Sequence, residues 1–150
     1  MITRSRIENY FEDLEVDTFI TKEETGFVVT FNIDYSCFTK EIILDIDENN
    51  IKLSLIFSSV DINVNLLEAI NEFNIYSKYY KAFYNPIREE IVIETNQFFQ
   101  NNKFEEILEL SLNSLVNLDS EYIEKIYELI NKNETIENLL KEELEEIWNT

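Results

Sequence analysis

Histidine is missing from this 150-residue chain, and glycine, proline and cysteine occur once each. Without histidine the chain lacks the commonest general base and the commonest metal ligand, so Ser-His-Asp and Cys-His sites are excluded. One glycine cannot build a G-x-G-x-x-G turn or a phosphate-cradling P-loop. A single cysteine, Cys37, forbids an intramolecular disulfide and a cysteine-based metal cluster, which fits a reducing, cytoplasmic setting. Apolar runs stay at a few residues, far below the about 20 that a spanning helix needs, and Met1 to Tyr10 holds no signal-peptide core. Positive charge is scarce too: 12 Lys and Arg stand against 31 Asp and Glu, a net charge of −19. Spread along the whole chain, that charge repels phosphate backbones and anionic headgroups, so direct nucleic-acid or membrane binding is not expected.

What is present suits a folded core. The chain is 45% hydrophobic, with 11 Phe and 8 Tyr, enough for one domain of this length. Ile7, Tyr10, Phe11 and Leu14 recur at helical spacing and predict an amphipathic helix over 3–14. From Phe19 the period becomes two. A short strand at 19–21 leads through a turn, where Gly26 is expected at positive φ, into a half-buried strand over 27–34. Strands over 41–47 and 51–58 follow across short turns, predicting an antiparallel meander. Asn65 with Glu68 reads as a helix start ahead of a stripe of Leu66, Leu67, Ile70 and Phe73. Strands over 79–84 and 91–95 then form a hairpin around Asn85-Pro86.

The remainder is helical. Asn102 and Glu105 read as the cap of a helix carrying Phe104, Ile107, Leu108, Leu112 and Leu115. Asp119 restarts or kinks it before Tyr122, Ile123, Ile126, Tyr127 and Ile130, and a last helix begins near Thr135. Glu121/Lys125, Glu128/Lys132 and Glu137/Lys141 set the acid four residues before the base, the favourable order on a solvated face. The fold class is therefore α+β: an antiparallel sheet in α-β-β-β(β)-α-β-β-α order, helices packed on one face, and an extra C-terminal helix. The domain is expected over 1–131, with 132–150 an amphipathic helix belonging to it or facing a partner.

Few residues invite chemistry. Asp45 to Asn50 opens like an EF-hand loop, but Asn50 and Ile56 stand where glycine and glutamate belong, and strands flank it, so a plain turn is expected. Cys37 has Lys40 as its sole local cation and reads as a semi-buried small side chain. No catalytic residue, cofactor site or metal site is expected. Two features suggest a surface instead. Alternation sets Tyr80, Ala82 and Tyr84 on one strand face and Tyr79, Lys81 and Phe83 on the other; either both faces are core, or Tyr79 and Phe83 offer an aromatic contact surface. Ile136, Leu140, Leu144, Ile147 and Trp148 line the terminal helix, whose acidic polar face argues against membranes and for its own domain or a partner groove.

Asn65-Leu66-Leu67-Glu68-Ala69-Ile70-Asn71-Glu72-Phe73-Asn74 ahead of a hairpin and a long helix resembles the YbjN family and, more distantly, the chaperones of type III secretion. Gly26-Phe27-Val28-Val29 after an amphipathic helix is similar as well, and the likeness covers about residues 3–131. The resemblance implies a non-enzymatic, often dimeric protein that binds other proteins as a regulator or escort, with no catalytic residues to carry over. The function expected is a non-catalytic, chaperone-like or regulatory protein-binding module acting through an apolar surface, an acidic homodimer whose partner is a protein, a basic one among the candidates. The alternative is an acidic inhibitor that imitates nucleic acid and blocks a basic protein.

Overall fold

The computed structural model describes residues 1–148, the side chains of 133–138 excepted. Its strands are β1 (Phe19–Lys22), β2 (Phe27–Asp34), β3 (Thr39–Ile46), β4 (Asn50–Phe57), β5 (Lys81–Asn85) and β6 (Glu90–Phe98). They form one antiparallel sheet in the order β1-β2-β3-β4-β6-β5. The helices α1 (Arg4–Asp13), α2 (Val64–Tyr76), α3 (Phe104–Asn113) and α4 (Ser120–Trp148) complete the α+β order read from the sequence.

Period-two alternation decides which face they cover. Val29, Phe31, Ile42, Leu44, Leu53, Leu55, Ile91 and Ile93 point to one side and are buried with Ile7, Phe11, Phe73, Phe104 and Ile126 in a single core. The opposite face carries the cross-strand row Phe19, Thr30, Ile43, Ser54, Glu94 and Lys81. No helix lies on it among the described residues, and Phe19 and Lys81 are exposed there.

Several local expectations are corrected. Gly26 does not take positive φ; left-handed backbone occurs instead at Glu15, Ser59 and Glu89. The glycine is needed for space, because a Cβ there would lie 1.7 Å from the Ile46 carbonyl oxygen of β3. The N-cap of α2 is Asn63, whose side chain accepts from the Leu66 amide at 2.9 Å, so the helix begins two residues before the Asn65 start. Leu67 is half exposed and Ala69 takes its place in the buried stripe. α3 has no side-chain cap, and Glu105 pairs with Arg6 of α1 instead, at 2.5 and 2.7 Å. The helix expected from Thr135 is the outer part of an unbroken α4. Lys125 reaches across to Glu72 of α2 at 2.7 Å. Cys37 is exposed rather than semi-buried.

Candidate functional site

α1 ends in a Schellman motif. The Val16 amide donates to the Phe11 carbonyl at 3.0 Å, with Glu15 in the left-handed position usually held by glycine. This turn swings the chain off the helix before β1 begins. It leaves a gap between α1 and α3 that nothing among the described residues fills. The gap is a groove of about 650 Å³, floored by Phe31 and Ile33 of β2 and walled by Tyr10 and Leu14 on one side and Leu110 and Val116 on the other. Leu14 is 50% exposed, and Leu110 and Val116 are each 46% exposed. Glu106, Glu109, Asn113 and Asn117 edge it, and among the described residues no lysine or arginine lines it.

Tyr10 supplies a hydroxyl at the wall. Burial first, then the negative charge of Glu109 and Glu105, pushes its pKa up to about 12, so it remains a neutral donor near neutral pH. Below the groove, Arg6 clamps α1 to α3. Its guanidinium bonds the Glu105 carboxylate, the Asn101 side chain and the Asn101 carbonyl, and lies 5.3 Å from the Phe104 ring centre. The walls are thus fixed in relation to each other by a bidentate pair.

The second wall owes its shape to a break in the helix. Between α3 and α4, Ser114–Leu118 forms a π-helical turn, closed by the Asp119 amide donating to the Ser114 carbonyl at 2.7 Å. The carbonyls this disturbs find tyrosine partners: Tyr35 donates to Leu115 at 3.1 Å and Tyr80 to Ser111 at 2.9 Å. Burial raises the pKa of both phenols and keeps them protonated. Asp119 is buried, its carboxylate accepting from Ser77 at 2.8 Å and Ser114 at 2.7 Å. The wider turn buries Leu115 while leaving Val116 at the groove. Sequence reading anticipated the kink at Asp119 but not the groove. The available signal was that Leu110 and Val116 lie off the stripe of Phe104, Leu108 and Leu115.

The residues expected to meet a partner fall in two other places. Phe83 projects from β5 onto the open sheet face, 41% exposed beside Val92, its partner in β6. Tyr79 precedes β5, half-buried against the core, and its carbonyl accepts from Thr95 at 2.6 Å. Leu140, Leu144, Ile147 and Trp148 are exposed along the outer part of α4, in which every residue from 139 to 148 is exposed. Ile136 lies outside the residues whose side chains are described. The structure therefore does not bring these residues to the groove. Among the described residues, no group of three or more His, Cys, Asp or Glu is placed to hold a metal ion, and no helix is long and apolar enough to cross a membrane.

The class this geometry defines is an α+β domain with a six-stranded antiparallel sheet covered by helices on one face. Within that class the chain is similar to YbjN, a candidate transcription regulator from E. coli, whose crystal structure superposes with a TM-score of 0.51. The two share 16% sequence identity, over 80% of this chain and 90% of that one, a likeness of fold. No protein-family model matches the chain, and a search of curated proteins finds no match.

Proposed function

We propose that this chain is a non-catalytic protein-binding module, regulatory or escort-like, that holds a protein partner in the groove between α1 and α3. One observation carries the proposal: Leu14, Leu110 and Val116 stay half exposed around a volume of about 650 Å³, on walls fixed by the Arg6–Glu105 pair. Apolar side chains left open on a rigid frame are the ordinary mark of a binding surface. The similar fold of YbjN, described as a candidate transcription regulator, supports a regulatory role. A chain of net charge −19 would exercise such a role through proteins rather than by touching DNA. Leu140, Leu144 and Trp148 are proposed as a second contact surface, either for a partner groove or for pairing of two copies.

The test is capture from the native cell by wild-type chain and by Leu110→Glu and Val116→Glu variants. Both positions are half exposed, so the variants should fold, which circular dichroism checks. Loss of captured protein from both variants is the expected result. An unchanged set of captured proteins removes the groove from the function.

A further inference from the structure

The hydrogen-bond phase of β2 shows what can lie beside this groove. The Tyr35 amide donates to the Phe38 carbonyl at 2.8 Å, closing the β2–β3 hairpin, and the Glu23 amide donates to Gly26 at 2.9 Å, closing the β1–β2 hairpin. In an antiparallel ladder, bonded and non-bonded pairs alternate. Counting back from Tyr35–Phe38, Ile33 and Phe31 exchange bonds with Lys40 and Ile42 of β3. Counting back from Glu23–Gly26, Val28 and Thr30 exchange bonds with Thr21 and Phe19 of β1. The even-numbered residues of β2 therefore aim their amides and carbonyls away from β3.

β1 ends at Phe19, opposite Thr30. Asn32 and Asp34 aim the same groups at an edge that β1 does not reach, because Val16 is tied back to α1. Among the described residues nothing bonds these backbone groups, and both residues are exposed. The edge stops at Ser36, whose amide and hydroxyl donate to Glu124 at 2.7 and 2.6 Å. Phe31, Asn32 and Ile33 line the apolar groove on the helix side of this edge. On the other side Glu15, Asp17, Asp34 and Glu41 line a second hollow of about 550 Å³, which among the described residues also has no lysine or arginine.

We infer that the free edge of β2 takes an extended segment of a protein partner as an added strand, with apolar residues alternating with lysine or arginine. This rests on the protein-binding reading and specifies its ligand. Strand addition satisfies the Asn32 and Asp34 backbone groups. Side chains of an added strand alternate between faces. One set enters the groove against Leu14, Leu110 and Val116. The other meets the carboxylates of Glu15, Asp17, Asp34 and Glu41, for which basic side chains are the complement.

The probe is a short synthetic peptide of alternating valine and lysine, compared with the same peptide carrying glutamate for lysine. Binding is followed by fluorescence anisotropy, and amide hydrogen exchange is read residue by residue. The lysine peptide should bind, and exchange should slow at Asn32 and Asp34. The glutamate peptide should bind at least about tenfold more weakly, as expected when like charges are opposed. Asn32→Pro removes an amide that bonds nothing within the fold, a position where proline is tolerated at an edge. It should weaken binding by about tenfold, the loss of one strand-to-strand hydrogen bond. Lysine-peptide binding without slowed exchange at Asn32 and Asp34 overturns strand addition, whether or not Asn32→Pro folds. Equal affinity for the glutamate peptide overturns the assigned chemistry. If neither peptide binds, this inference falls, while capture by the Leu110→Glu and Val116→Glu variants judges the protein-binding reading separately.

Discussion

The two ends of α4 carry the same kind of apolar stripe and meet different fates. Ile123, Ile126 and Ile130 are buried against the sheet and α2, while Leu140, Leu144 and Trp148 are 54%, 55% and 85% exposed on the same helix. Helical periodicity records that one face seeks apolar contact; it does not record where the contact comes from. The inner part finds it because the π-helical turn and Asp119 aim the helix along α2, where Lys125 meets Glu72. The outer part begins where the sheet and α2 have run out.

The largest effect that separates the two ends should come from matched truncations. Ile126→Ala empties a fully buried site and should cost about 2–5 kcal/mol of folding stability. Leu144→Ala, on the outer part, should change it by no more than about 0.5 kcal/mol. Urea unfolding followed by circular dichroism measures both, and equal costs would mean that the outer stripe is docked. Next in size is Asp119→Ala. It leaves the half-buried Ser77 and the buried Ser114 hydroxyls without their acceptor, at a cost of about 1–3 kcal/mol. The same unfolding curve reads it, and a cost near zero would mean that the kink does not depend on this carboxylate.

The order of strands and helices along the chain, the fold class and the kink at Asp119 were legible because each rests on short-range pattern: period two in β2 to β4, period 3.6 in the helices, and a polar residue inside an apolar run. Caps were less legible, since Asn63 and Asn65 look alike and tertiary packing selects between them. The role of Gly26 was misread for a similar reason. Its need is the approach of the Ile46 backbone across the hairpin, which no local pattern records. The groove was hidden more deeply. Leu14 and Leu110 lie 96 positions apart in the chain, and their shared exposure follows from the Schellman turn at Glu15 and the π-helical turn after α3. A non-glycine residue at the first and an extra residue in the second leave only faint marks in a sequence.

A smaller effect is expected where α1 is clamped to α3. The Arg6 guanidinium bond to Glu105 holds the Glu105 carboxyl below its ordinary range. A carboxylate depressed in the folded state adds stability that is complete above its unfolded pKa of about 4.3 and fades as pH falls through the lower folded value. Glu105 is 41% exposed, so the pair should contribute no more than about 1 kcal/mol. Glu105→Gln should lower stability by that amount at pH 7 and by progressively less below pH 4. A loss that does not shrink in acid would assign the effect to something other than the charge of this pair.

The smallest effect on stability, and the most direct probe of the helix comparison, comes from the sole tryptophan. Trp148 is 85% exposed at the far end of α4, so its indole is in water before the domain unfolds. Its emission should hardly move across the urea transition that circular dichroism reports. Ile126→Ala should shift that transition without altering the starting emission. Adding a protein that covers the outer stripe should do the opposite, moving the emission to shorter wavelength as the indole leaves water while the midpoint rises by mass action. A native emission already at short wavelength, lost together with the helical signal, would place the outer stripe on its own domain and erase the difference between the two ends of α4.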